Sequence, residues 1–190
     1  MTRKEQKELR QRQIVSKALE LFVTKGFTET KISDIAGELG ISVGLLFHYY
    51  ESKEQLCREL VQMGAAMSKR PETIEYSSPL EYFEKTLIGL FSAAKENPMV
   101  FQMFVLMNQA RRQGMPEEIR AAALTANQID FSAKVIEQGQ KDGSIRQGEP
   151  KALSFAFWCS VQGIMEQHLV APEIPLPEKE WLLDILRNKE

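Results

Sequence analysis

The stretch DIAGELGISVGLLFHYY, Asp34 to Tyr50, constrains the fold more than any other part of the chain. It is crowded with apolar and aromatic side chains. On a helix of 3.6 residues per turn these spread around the whole circumference, so some of them must face outward. Gly40 and Ser42 divide the run. Glycine supplies a sharp turn, and serine caps a second helix by accepting a hydrogen bond from a backbone N–H two or three residues on. The spacing predicts two short helices that cross closely. Ile35 and Leu39 face inward from the first, small Ala36 lies at the crossing, and Ile41 fills the apolar space beneath the turn. Leu46 and Tyr50, one turn apart, complete the core face, which leaves Val43, Gly44, Leu45, Phe47, His48 and part of Tyr49 projecting away.

The same reading extends to the rest of the chain, where glycine and proline punctuate segments of helical rather than strand periodicity. The expected fold is all-α with about nine helices. The first carries Ile14, Ala18, Leu21 and Phe22 on one face and stops near Lys25 and Gly26. A short helix covers about 31–38. Ser52 with Gln55 opens a helix that runs to about Lys69, where Pro71 ends it. Ser78, Pro79 and Glu81 open another, Asn97 and Pro98 repeat the signal, and Pro116 with Glu117 and Glu118 starts a long helix reaching Asp142. Helices over about 149–170 and 178–188 complete the chain. Short helices precede residue 50 and long ones follow it. The expected organisation is therefore a three-helix module at 1–50, joined to a larger antiparallel helical domain at 51–190.

Composition narrows the classes. No apolar run reaches the roughly 18 residues of a membrane span, and the N-terminal MTRKEQKELRQRQ is polar, so no membrane role and a cytoplasmic location are expected. Cys57 and Cys159 are the only cysteines and His48 and His168 the only histidines, too few for a disulfide framework or a zinc site. Both cysteines read as free thiols, His168 as a surface residue, and no metal or cofactor is expected. The net charge of −2 argues against a nucleic-acid partner for the chain as a whole. Its distribution does not, because residues 1–31 hold eight basic side chains against four acidic ones.

The outward set at 43–49 has the size of a surface that enters a DNA major groove. Val43 or Leu45 could touch thymine methyls, and His48 or Tyr49 could bond a phosphate or a base edge. The amides at the Ser42 end are oriented for phosphate, Lys53 adds a cation beside the next helix start, and the basic residues from Arg3 to Arg12 supply sequence-independent attraction. The bland alternative is that 31–50 are two core helices of a bundle.

TETKISDIAGELGISVGLLFHYYESKEQL, residues 28–56, resembles the DNA-binding signature of the TetR (tetracycline repressor-like) family of bacterial transcriptional regulators. The matching pieces are the DIAGELGIS body, the G-x-L-aromatic-H-Y-aromatic recognition helix and the SKEQL start of the next helix, with LFVTKGF closing the first. The resemblance covers about the first 60 residues; beyond them it is one of length and helical character. It implies a helix-turn-helix module, a homodimer on a pseudo-palindromic double-stranded DNA operator, and a ligand-binding C-terminal domain whose occupancy alters the spacing of the two modules. It also implies a DNA-facing set of Thr30, Ser33, Ser42, Val43, Gly44, Leu45, Phe47, His48, Tyr49 and Lys53. Three positions depart from the family, which often has lysine for Val43, serine or threonine for Leu45 and tyrosine for Phe47. Each departure removes a polar contact.

In the larger domain, Ala121, Ala122, Ala123, Ala126 and Ala133 lie among Ile119, Ile129 and Ile136, while Leu153, Phe157, Val161 and Ile164 follow at helical spacing beside Gly163. By the resemblance, helices 116–142 and 149–170 pair with their symmetry mates; the alternative is a monomer core. Met99, Met103 and Met107 form a stripe with Phe104, facing Phe83, Leu87 and Phe91. Methionine adapts its shape, so the stripe either lines a pocket for an apolar effector or is core. Gln128, Trp158 and Gln162 could add polar or flat contacts to such a ligand.

The function these features favour is a ligand-responsive transcriptional repressor, released from its operator by a small hydrophobic effector. A regulator controlled by a protein partner, or without a ligand, is the alternative. An enzyme is not expected, since the chain has no Gly-rich phosphate loop, no G-x-S-x-G and no H-E-x-x-H.

Overall fold

The computed structural model describes residues 2–69 and 73–188, so the helix stop expected at Pro71 lies outside the described residues. The chain is all-α. Ten helices occur among the described residues: α1 (Arg3–Thr24), α2 (Ile32–Glu38), α3 (Val43–Tyr49), α4 (Lys53–Ser68), α5 (Pro79–Glu96), α6 (Met99–Ala110), α7 (Glu117–Leu124), α8 (Gln128–Asp142), α9 (Pro150–Val170) and α10 (Lys179–Leu183). None of them is long and apolar enough to cross a membrane.

The helix starts follow local chemistry. Thr2 and Glu5 form a capping box on α1, the threonine hydroxyl accepting from Glu5 N and the glutamate accepting from Thr2 N. Ser52 Oγ accepts from Gln55 N, and the Gln55 side chain reaches back one residue further than expected, to Glu51 N. Ser78 caps α5, and there the Glu81 carboxylate takes the Ser77 amide and hydroxyl.

The chain packs as two compact units. One comprises Met1–Ala65 and Val105–Thr125. Its buried residues include Ile14, Ala18, Leu19 and Phe22 of α1, Ile35 and Ala36 of α2, Leu46 and Tyr50, and Leu56, Cys57 and Leu60 of α4. The other comprises Ala66–Phe104 and Ala126–Glu190, with α8 against α9, α5 against α8, and α10 against both α5 and α9. Its core joins Tyr82, Phe83, Leu87 and Phe91 of α5 to Val135 and Ile136 of α8 and Phe157, Val161 and Met165 of α9.

Two expected helices are corrected. The long helix at 116–142 is broken: α7 ends at Leu124, in the first unit, and α8 begins at Gln128, in the second. Thr125 and Asn127 cause the break by bonding locally. The Thr125 hydroxyl donates to Ala122 O at 2.8 Å, and Asn127 caps α8 by accepting from Asp130 N at 3.2 Å. The final helix is only Lys179–Leu183, because the following backbone pairs with the α8–α9 connection. Arg146 N donates to Leu186 O at 2.8 Å and Asn188 N to Ser144 O at 3.3 Å, around a bridge between Ile145 and Arg187.

Candidate nucleic-acid interface

The turn between α2 and α3 is built as its residues dictate. Gly40 takes φ +61°, a left-handed conformation that costs a side chain with a Cβ, and its N–H donates to Gly37 O at 3.1 Å. Ile41 N donates to Ala36 O, closing the turn. Ser42 Oγ accepts from Leu45 N at 3.1 Å and starts α3. Seven residues later the helix has two faces. Leu46 and Tyr50 are fully buried, while Val43, Leu45 and Phe47 are 39%, 39% and 48% exposed. Ser42, Gly44 and His48 are exposed too, and Tyr49 is half-buried with its ring edge-on to His48. Three large apolar side chains thus stand in water on one helix of seven residues, which is the usual mark of a surface that meets a partner.

Ser33, on α2, is exposed beside this face in sequence. Thr30 is a correction. It is wholly buried, and its hydroxyl is directed at Gly26 O at 2.7 Å and Leu21 O at 3.2 Å, where it ties the end of α1 to the loop before α2. A threonine turned into that loop presents nothing outward. Lys53 is half-buried, and its ammonium is held by the same loop, 2.8 Å from Phe27 O and 3.3 Å from Thr28 O. The start of α2 is fixed by Asp34, which accepts from Lys31 N and pairs with Lys25 at 2.6 Å; these bonds hold its carboxyl below the usual carboxylate range, the Lys25 bond most of all.

A groove of about 510 Å³ runs between the first half of α1 and the end of α3, lined by Arg3, Lys7 and Arg10 on one side and by His48 and Tyr49 on the other. The three cations fall on one helical face at i, i+4 and i+7. None of them is in an ion pair with any described residue. From the sequence alone this basic segment had a general attraction; the fold sets it beside the end of α3. An unpaired cationic wall beside exposed aromatic and histidine side chains can hold an anionic backbone, with the apolar α3 face free to read shape.

The family model described as Bacterial regulatory proteins, tetR family, matches residues 14–60, which span the second half of α1, all of α2 and α3 and the first half of α4. Residues 14–60 are a TetR-family DNA-binding region. The curated relatives are named transcriptional regulators, and they agree with this chain in length as well as in motif. The chain is 26% identical over 164 residues to the HTH-type transcriptional repressor KstR2 of Mycolicibacterium smegmatis, covering 80% of this chain and 78% of that one. Among solved structures, the MbdR regulator from Azoarcus sp. CIB superposes with a TM-score of 0.75 at 18% identity, covering 94% and 97% of the two chains. AibR, solved in complex with isovaleryl coenzyme A and operator DNA, superposes with a TM-score of 0.70 at 20% identity, covering 92% and 94%. Both superpositions show that the TetR-family fold extends over nearly the whole chain.

The residues singled out as ligand contacts fall into two groups. Phe83, Leu87, Phe91, Met103 and Met107 are buried, with Phe104 packed partly buried on the same core as the first three. Gln162 is engaged, donating to Phe104 O at 3.0 Å and to Glu166 at 2.7 Å. Gln128 and Trp158, by contrast, meet in one polar cluster with Ser132 and with Tyr82, which sequence reasoning passed over. A tyrosine within the α5 core stripe was the available signal. His168, read as a surface residue, is half-buried and lies against Phe101, ring centres 4.6 Å apart. Cys57 is buried, which pushes its thiol up to about 12, and Cys159 is exposed on α9. Among the described residues no cluster of metal-ligating side chains occurs.

Proposed function

We propose that this protein is a cytoplasmic, ligand-responsive repressor that binds a pseudo-palindromic operator as a homodimer and leaves it when a small, largely apolar effector binds. Residues 1–50 are the DNA-binding part and 51–190 carry effector binding and dimerisation. The observation that carries the reading is the two-faced α3 beside the basic groove: Leu46 and Tyr50 anchor the helix, while Ser42, Val43, Gly44, Leu45, Phe47 and His48 are offered to the major groove. Arg3, Lys7 and Arg10 hold the phosphate backbone alongside. Lys53 contributes by fixing the loop before α2.

Dimerisation is supported by α9. Ala152, Phe155, Ala156, Cys159, Gly163, Gln167 and Val170 are exposed along one side of that helix, opposite the buried Ser154, Phe157, Val161 and Met165. Phe155 and Val170 are 57% and 79% exposed, more than a lone polar-faced helix needs to leave in water. Four such helices, α8 and α9 from each copy, would bury this stripe. A ligand and an operator appear together in the AibR complex, and KstR2 is named a repressor, which supports both an effector and negative control here. The effector acts only through its different affinity for the DNA-fitting and non-fitting conformations of the dimer.

Selection of bound duplexes from a random-sequence pool tests the reading. The expected product is a site with two half-sites about 10 base pairs apart, bound at a ratio of two chains per duplex. A pool that shows no enrichment after repeated rounds overturns DNA recognition, and a single unrepeated half-site overturns the dimer.

A further inference from the structure

The aromatic part of the second unit holds a buried acceptor with no donor among the described residues. Gln128 Nε2 donates to the Tyr82 hydroxyl at 2.9 Å and stands 3.4 Å from Ser132 Oγ, and Ser132 Oγ also accepts from the Trp158 indole N–H at 2.9 Å. Gln128 Oε1 is buried and accepts no hydrogen bond from any described residue. Turning the amide over does not remove the defect. Oε1 would then meet the two hydroxyls, but the NH2 group, with two protons, would take the unfilled place, and buried N–H groups without acceptors are rarer than buried carbonyls without donors. The orientation with the free acceptor is therefore the favourable one.

The surroundings limit what can fill the position. The Tyr82 ring lies 5.4, 4.9 and 5.7 Å from those of Tyr76, Phe83 and Phe131, and Phe157 lies 5.0 Å from Phe83 and 5.3 Å from Trp158. Tyr82, Phe83 and Phe157 are buried, whereas Tyr76, Gln128, Phe131 and Trp158 are half-exposed, so the cluster sits one layer beneath the surface. Its hydrogen bonds join only neutral groups. Burial pushes the Tyr82 phenol up to about 12, although bonds to Ser132 and Gln128 pull it down, and an anionic ligand would meet the same desolvation.

We propose that Gln128, Tyr82, Ser132 and Trp158 are the recognition point of the effector site, which takes a neutral, flat, apolar molecule whose single hydroxyl or N–H donates to Gln128 Oε1. The proposal rests on the reading of this protein as effector-controlled and adds the chemical class of the effector. Aromatic rings supply the apolar contact, and the lone acceptor supplies the orientation.

Trp158 reports on its own site. Trp181 is 68% exposed, so Trp181→Phe leaves Trp158 as the single indole. In that full-length background, phenol is titrated against anisole, which has the same ring but no donor. The expected result is a saturable change of Trp158 emission with phenol at about tenfold lower concentration than with anisole, the worth of one buried hydrogen bond. Gln128→Leu should abolish the preference with the circular dichroism unchanged, and Gln128→Met gives the same reading should the leucine variant fail to fold. Equal affinity for the two probes, no saturable response, or a preference that survives both substitutions overturns the site. Affinity for the enriched duplex, measured on the same samples, separates the two readings. Retained DNA binding without a phenol preference defeats the site alone, whereas a Gln128-dependent preference without any effect of phenol on DNA binding keeps the site and defeats effector-controlled release.

Discussion

The Lys53 ammonium lies 2.8 Å from the carbonyl oxygen of Phe27 and 4.3 Å from the centre of the same residue's ring. One cation at the start of α4 thus clamps the loop that leads into α2, by a charge-assisted hydrogen bond and by attraction to the ring face. The arrangement makes Lys53 a positioning residue for the helix-turn-helix. Lys53→Met should lower unfolding stability by about 1 kcal/mol, since the pair is partly exposed. It should weaken DNA binding while changing the salt dependence by less than one phosphate contact. Denaturant unfolding and affinity measured across a salt series check both parts.

The groove cations behave differently. Arg3, Lys7 and Arg10 project from a capped helix and are in no ion pair with a described residue. Replacing any one of them by alanine should leave stability within about 0.5 kcal/mol. The slope of log affinity against log salt should fall by about one for each, equally on specific and random duplexes. Val43→Lys, which restores a cation the family often carries, should raise the slope by a similar amount. A slope that ignores all four substitutions removes the groove from the DNA path.

Two glycines test two different constraints. At Gly40 an added Cβ would meet nothing within 4 Å, so Gly40→Ala costs only the left-handed backbone, roughly 1–2 kcal/mol. Gly139 has no positive φ, but a Cβ there would stand 2.6 Å from Ile145 Cδ1 and 3.0 Å from its Cβ. Because the Ile145 stem is involved, rotation of the side-chain tip cannot relieve the contact. Gly139→Ala should therefore cost about 1–3 kcal/mol, and Ile145→Val in the same chain should recover part of it. Gly40→Ala has no such partner substitution. Thermal melting of the three variants and of Ile145→Val alone makes the comparison.

Acid should weaken the second unit at one identifiable point. The Glu81 carboxyl is lowered to about 2, first by the Ser77 hydroxyl, then by the Ser77 amide and by Lys85. A carboxyl lowered in the folded state adds stability above its unfolded value of 4.5, and that contribution is lost as pH falls toward 2. Glu81→Gln should show a shallower loss of stability over that window than the parent. Identical slopes from pH 5 to about 2 in chemical denaturation would remove Glu81 from the acid response.

How far the sequence could be read follows from the range of the interactions. Gly40, Ser42, Leu46 and Tyr50 act within one turn of helix, so their conformations and burial were legible from spacing alone. The inside and outside of α3 came out residue by residue for the same reason. The resemblance put Thr30 and Lys53 in the DNA-facing set, yet the carbonyls of the end of α1 and of the loop at 26–28 took their polar groups. The α7–α8 break was written in Thr125 and Asn127, but a helical apolar pattern on both sides concealed it. The Tyr82–Gln128 bond spans 46 residues, and no local pattern announces a pairing of that kind.

The exposed stripe of α9 gives a test of the dimer that does not depend on DNA. Cys159 lies in the middle of the stripe and is exposed, whereas Cys57 is buried with its thiol pushed up to about 12 by desolvation. A thiolate-directed reagent should therefore modify one cysteine of the native protein at most, and Cys57 only on unfolding. If two copies pair through α9, the rate at Cys159 should fall as protein concentration rises, because only the dissociated chain offers the thiol. Phe155→Glu places a charge in the same stripe and should hold the chain as a monomer in sedimentation, with Cys159 reacting fast at every concentration. A Cys159 rate independent of concentration, with dimers still present in sedimentation, would put the interface on another face.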